Sequence, residues 1–230
     1  MKTVNLIVEG TKDVYFMHEF LLQRFPIFAR SDNPIPSNRL ERNGISLHSS
    51  NGALTILVKG LKGFADIAHL KNLTRPSPAT EGRFGYGIIF DADYAGDGNH
   101  GGFKDRLDFL LDLMKIPDDS RKSVSESIFL LPNNKDDGDL ETLMERMVAP
   151  SSEHDTFLGV CWKNFSDCVS HHGFNPATQK SKMNEYMAAF FAGTWDDNGI
   201  NRSIAEPSLW DWNRHSLDNL FRFIEHLIDD

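Results

Sequence analysis

Carboxylates stand at three places along the chain where a short apolar run gives out. Glu9 follows residues 3–8 (TVNLIV), Asp91 and Asp93 follow residues 86–90, and Asp136, Asp137, Asp139 and Glu141 follow residues 127–131. Grouped carboxylates can move protons, or they can hold a hard cation through oxygen. If a fold gathers these groups, their like charges oppose one another. They then persist only when protonated, paired with cations or bound to metal. A donor set of oxygen alone suits Mg²⁺ or Mn²⁺. Mg²⁺ typically takes one or two carboxylates, keeps several waters and draws its other ligands from phosphate. Such an ion also offsets the repulsion between an acidic protein and a polyanionic substrate. Taken singly, each acid has a plainer use, since Asp13, Asp93, Asp97 and Asp139 are all placed to cap helices or turns.

Other chemistries fit less well. The loop DADYAGDGNHGG has the outline of an EF-hand, but its twelfth position is Gly102, where the bidentate Glu belongs. His171, His172, His154 and Cys168 are near one another in sequence, yet match no standard zinc spacing, and helix-end histidines in solvent are the plainer reading. His100 in the Gly-rich loop could assist proton transfer, although loop histidines are more often idle. No Gly-x-Ser-x-Gly elbow occurs. Residues 82–87 contain GxxGxG with no helix directly after it, which weakens dinucleotide binding. Lys180, Lys182 and Arg202 lie in polar stretches and suit contacts to phosphate charge or plain solvated surface. Trp195, Trp210, Trp212 and Phe223 suit packing better than base stacking.

The elements that must position the acids alternate between strand and helix. Residues 3–8 form a continuous apolar run, which predicts a strand buried on both faces. Val14, Met17, Phe20 and Leu21 share one face of a helix over 12–25, closed by Pro26. Residues 44–48 and 53–58 read as two strands about Asn51-Gly52, a pair that favours a type I′ turn, or as one strand only. An amphipathic stretch over 64–73 and a loop over 74–85 come next. Residues 86–90 and 127–131 are further strands, with a helix over 103–114 between them and another from about Asp139. Strand–helix alternation implies crossovers and a mainly parallel sheet with helices on both faces. Beyond Pro150 the pattern turns helical, over 155–170, 181–192 and 216–228. The expected division is an α/β core over 1–150 and a helical extension over 151–230 packed on it. In an open parallel sheet ligands collect beyond the carboxyl ends of the strands, where all three acidic groups fall.

Composition limits the partners. In 230 residues the net charge is -9, and aromatic residues make up 11%. That is ample for a core and ill-suited to coating nucleic acid non-specifically. Two cysteines are too few for a disulfide framework or a four-ligand zinc site, and buried thiols are expected for both. MKTVNLIVEG is no signal peptide and no stretch nears the ~20 apolar residues of a membrane span, so a cytoplasmic protein without membrane association is expected.

VEGTKD after an apolar strand, followed by IIFDAD, resembles the TOPRIM domain of bacterial primases, topoisomerases, recombination mediators and overcoming-lysogenization-defect nucleases. The resemblance covers roughly residues 1–135. LPNNKDDGDLETLM, the pair Lys180 and Lys182, and WDWNRHSLDNLFRFI extend it to a Toprim-like prokaryotic family of uncharacterised function. It implies a Rossmann-like fold with Glu9 as metal ligand or general acid/base. It further implies Asp91 and Asp93 as Asp-x-Asp ligands of Mg²⁺, Gly10 as the turn glycine, and Glu141 as a further acid. Asp91-Ala92-Asp93 also resembles the haloacid-dehalogenase nucleophile motif, but that motif lies near an N-terminus and is followed by Thr or Val, whereas Tyr94 follows here.

The leading expectation is a Mg²⁺-dependent phosphodiester-acting enzyme, a nuclease above all. Glu9, Asp91 and Asp93 are its catalytic and metal-binding residues, Asp139 and Glu141 further metal ligands. Gly10, Lys12, Lys180 and Lys182 contact substrate, which is nucleic acid or a nucleotide. The alternative is a non-catalytic module that binds a nucleotide or partner protein through its acidic edge.

Overall fold

The computed structural model describes residues 1–33, 44–61, 70–76, 82–98, 100–174, 178–190, 204, 206 and 208–229. Strand β1 (Lys2–Val8) lies at the centre of a five-stranded sheet of order β2–β3–β1–β4–β5. It runs parallel to β3 (Leu54–Gly60) on one side and to β4 (Arg83–Asp91) on the other. Beyond β4 lies β5 (Ile128–Leu131), also parallel. Only the edge strand β2 (Ile45–His48) is antiparallel. The unbroken apolar run of β1 has its reason here: Val4, Leu6 and Val8 enter the core on one face of the sheet, and Ile7 enters it on the other.

Helices cover both faces. α1 (Thr11–Arg24) buries Val14, Met17, Phe20 and Leu21 against the first face. It stops at Phe25, whose extended backbone (φ −119°, ψ 100°) is what a following proline imposes. α3 (Phe103–Leu113) covers the second face through Leu110 and Leu111. Short helices α2 (Leu70–Leu73), α4 (Arg121–Ser125) and α5 (Leu140–Arg146) lie along the connections. The C-terminal part is helical: α6 (Ser152–Thr156), a π-helical turn (Phe157–Cys161), α7 (Trp162–His171), α8 (Gln179–Phe190) and α9 (Asp218–Asp229). Leu220, Ile224 and Leu227 of α9 and Met183, Tyr186 and Met187 of α8 join the same apolar cluster as α1. Trp210 and Trp212 are buried, and the Trp212 ring lies 5.7 Å from that of Phe16. The chain is thus α/β, with a mainly parallel sheet flanked by helices and a helical C-terminus. Among the described residues no helix is long and apolar enough to cross a membrane.

Several local expectations change. Residues 44–48 and 53–58 do form two paired strands, but Asn51-Gly52 is no type I′ turn, because only Gly52 of the two has a positive φ (68°). The Asn51 side chain organises a longer loop instead, accepting from Ala53 N at 3.0 Å and Ser49 Oγ at 2.8 Å. The GxxGxG run belongs to the start of β4. A Cβ on Gly87 would stand 2.5 Å from Leu227 Cδ1, so this glycine lets α9 lie close on the sheet. Cys161 and Cys168 are exposed rather than buried, because neither the π-helical turn nor α7 buries any of its residues. His154 is buried, with Nδ1 2.8 Å from Ala149 O, while His171, His172 and Cys168 face solvent. The amphipathic stretch over 64–73 falls mostly outside the described residues, as do Trp195 and Arg202.

One buried histidine gives the fold a pH dependence. His18 on α1 is 1% exposed, and desolvation, helped by the Arg30 cation and opposed by a hydrogen bond with the Asn33 backbone, pushes its pKa from 6.5 down to about 4. Between those values the unfolded chain takes up a proton that the native state refuses. The contribution to stability is therefore full above pH 6.5 and is lost as pH falls toward 4. Each pH unit in that window is worth about 1.4 kcal/mol. Urea unfolding at pH 7.5 and pH 5 should show wild type losing about 2 kcal/mol more than His18→Leu. Parallel losses would remove His18 from the account.

Candidate functional site

The connections leaving β1 and β4 turn to opposite faces of the sheet, α1 to one and α3 to the other. Adjacent strands whose connections diverge open a crevice beyond their carboxyl ends. A cavity of about 440 Å³ lies there, lined by Glu9, Gly10, Thr11, Lys12, Asp13, Leu61, Asp91, Leu140, Glu141 and Lys180. Strand register explains the depth of Asp91. Val8, the last residue of β1, pairs with Ile89, so β4 runs two residues further and carries Asp91 past the end of its neighbour. Asp91 shares the side of Ile89, which belongs to the α1 face.

Four acids meet in this crevice. Asp91 Oδ1 accepts from Leu140 N, the first residue of α5, at 2.9 Å. Burial, with the nearby charges of Asp13, Glu9, Glu141 and Asp139, holds the Asp91 carboxyl well above the usual carboxylate range. Asp13 sits in the first turn of α1 and accepts from Gly10 N at 3.0 Å through Oδ2. Burial and the charges of Glu9 and Glu141 raise its pKa to about 7. Asp13 Oδ1 and Glu9 Oε2 are buried without a hydrogen-bond partner. Glu141 is 4% exposed, and its Oε1 accepts from Lys12 Nζ at 2.7 Å. Lys12 Nζ also donates to Asn184 Oδ1 of α8 at 2.8 Å. Gly10 has an ordinary extended backbone, and a Cβ there would stand 3.2 Å from Asp13 Oδ2; on β3 it is Gly60 that allows close approach, since a Cβ there would lie 3.1 Å from Gly10 O.

Glu9, Gly10, Lys12, Asp91, Glu141 and Lys180 thus come together, and three other expected site residues stand apart. Asp93 does not line the cavity. The strand ends at Asp91, and Asp93 takes a positive φ (55°), so the two-residue alternation that would aim both acids one way is broken. Its carboxylate pairs with Arg106 of α3, and its carbonyl accepts from Gly138 N at 2.9 Å. Asp139 caps α5, accepting from Thr142 N at 2.8 Å and Thr142 Oγ1 at 2.6 Å, and acts on Asp91 only as a nearby charge. Lys182, two residues before Asn184 on α8, pairs with Glu145 and leaves the crevice to Lys180. His100 stacks on Phe109 at 4.0 Å, away from the cavity lining. Sequence reasoning placed Asp13 only as a cap and did not find Asn184. The Glu9–Asp13 spacing was the available signal for the first. Nothing local marks Asn184, which lies 172 residues from the lysine it touches.

Among the described residues no three His, Cys, Asp or Glu side chains converge tightly enough to enclose a metal ion by themselves. The donors nevertheless fit a hard cation of the Mg²⁺ kind. They are all oxygen, two of the oxygens are buried and unpartnered, and such an ion needs only one or two carboxylates beside water and phosphate.

Fold and crevice together define the class: an α/β protein with an acid-lined pocket at the point where its crossover connections part. By sequence the chain belongs to the family described as Protein of unknown function (DUF3226), which it matches over residues 3–229. No curated protein matches it. Two solved structures are similar in outline. One is the C-terminal region of the Burkholderia pseudomallei OLD protein, at 15% identity and a TM-score of 0.46, covering 97% of each chain. The other is a hypothetical protein from Pyrococcus horikoshii OT3, at 15% identity and a TM-score of 0.47, covering 99% of this chain and 96% of that one.

Proposed function

We propose that this protein is a TOPRIM-type enzyme that uses Mg²⁺ or Mn²⁺ to act on phosphodiesters, as a nuclease. One observation carries the reading: Glu9, Asp13, Asp91 and Glu141 crowd a buried crevice in which Glu9 Oε2 and Asp13 Oδ1 have no partner. Crowding of like charge costs stability, and a site that keeps it is built for something other than stability. In this reading Asp91, Glu9 and Asp13 hold the cation. When bound, it supplies Lewis-acid polarisation of a phosphate oxygen and a lowered pKa for water.

The chain's own groups do the rest. The Leu140 N–H fixes Asp91 Oδ1 and leaves the second carboxylate oxygen for the crevice. Glu9, with one oxygen unpartnered, is placed to accept a proton from the attacking water. Lys12 and Lys180 face the same cavity and oppose the charge that builds on phosphate. Leu61 and Leu140 form its apolar wall. Asp93 would join only by leaving Arg106, so its part in this reading is to hold the loop after β4.

Crystals soaked in Mn²⁺ should show an anomalous peak beside Asp91, and single- or double-stranded DNA or RNA should be cut in its presence. A peak without cleavage across Mg²⁺ and Mn²⁺ would leave a binding module in place of an enzyme. No peak, and a melting temperature unmoved by either ion, would end the metal reading.

A further inference from the structure

The lysine that faces the crevice is held by two acceptors from distant parts of the chain. Lys12 stands in the first turn of α1, directly after the turn that carries Glu9. Its ammonium donates to Glu141 Oε1 of α5 at 2.7 Å and to Asn184 Oδ1 of α8 at 2.8 Å, and its side chain is 18% exposed. A lysine on four methylenes, free in solvent, loses about 2 kcal/mol of rotamer entropy when fixed on a phosphate. A lysine already fixed has met that cost on folding. Glu141 alone would draw the ammonium toward the acids. Asn184 is neutral and supplies a second acceptor from α8, so it restrains the direction of the ammonium without adding a charge that repels phosphate.

Resting on the phosphodiester reading above, we propose that Asn184 is a positioning residue for Lys12, and that the pair forms the seat for a non-bridging phosphate oxygen. One donor position of the ammonium is left for that oxygen, because an ammonium has three and two are in use. α8 thereby contributes twice to the pocket, with Lys180 in its lining and Asn184 behind Lys12. The C-terminal part of the chain is then a component of the substrate site.

The test uses the full chain and inorganic pyrophosphate with Mg²⁺, followed by titration calorimetry. Lys12→Met should weaken pyrophosphate binding by about a hundredfold, as loss of a charge-assisted contact does. Asn184→Leu should weaken it by about tenfold, and Asn184→Gln, which keeps a neutral amide acceptor, should restore binding to within about threefold of wild type. Asn184→Ser serves if the leucine variant melts early, with the same tenfold loss expected. Wild-type affinity in both Asn184→Leu and Asn184→Ser, with binding lost in Lys12→Met, would overturn the role of Asn184 and leave the phosphate site standing. Equal weakening in Asn184→Gln and Asn184→Leu would also overturn it, as a packing effect. Wild type that binds no pyrophosphate would overturn the proposal and the phosphodiester reading together.

Discussion

Asp91→Asn is expected to lower Mg²⁺-dependent cleavage by about a thousandfold, or about 4 kcal/mol of barrier, while leaving the protein no less stable than wild type. The two halves of that result come from one place in the fold. Asp91 is carried beyond the end of β1 into a buried crevice, where desolvation and the acids around it oppose its charge. Asparagine removes the charge and keeps an oxygen for the Leu140 N–H. The variant therefore gives up the ligand and sheds the repulsion. Initial cleavage rates and thermal melts, measured on the same preparations, check both halves. Activity within about threefold of wild type would take Asp91 out of the chemistry. A lowered melting temperature would mean that the acid is structural.

Asp13→Asn is expected to stabilise the protein at alkaline pH and not at acid pH. Asp13 has a pKa of about 7 in the folded chain against 3.8 for the free group, from burial and from the charges of Glu9 and Glu141. A raised folded pKa means that the stability is full below 3.8 and is lost as pH rises through 7. Above that window the ionised group costs on the order of 4 kcal/mol, less whatever the crevice relaxes. Asparagine still accepts from Gly10 N, the bond that Asp13 makes at 3.0 Å. In chelator, the urea midpoint of the variant should exceed that of wild type at pH 8, and the gap should shrink to about a quarter of its size by pH 4.5. A gap of the same size at both pH values would show that ionisation of Asp13 is not its source. His18 acts in the opposite direction across the same range and Asp91 in the same direction as Asp13, so wild type alone shows only their sum, and the variants separate the slopes.

The architecture was readable because its signals are local and repeated. Residues 3–8 and 127–131 are unbroken apolar runs, and buried parallel strands leave little else for such runs to be. The helix over Phe103–Leu113 showed in its apolar spacing, and Asp139 as a cap. The crevice was readable in part for a topological reason: acids at the carboxyl ends of neighbouring strands must lie near one another. What escaped depends on angles rather than order. Asp93 sits two residues from Asp91, as a shared face requires, but a left-handed backbone at that residue turns it to Arg106. Asp13 was legible as a cap and is one, but its second oxygen is also buried without a partner at the crevice, where Gly60 of β3 lets the start of α1 lie close to the sheet. Cys161 and Cys168 have the spacing of a buried stripe, yet neither the π-helical turn nor α7 buries any of its residues.

The pocket walls are drawn from residues 9–13, 61, 91, 140–141 and 180. A molecule seated there fastens the start of the chain to its last third, as a rivet does two plates. Opening of either part would have to wait for its departure, so occupancy should slow amide exchange in α1 and α8 together and by the same factor, although the two helices lie more than 150 positions apart in the chain.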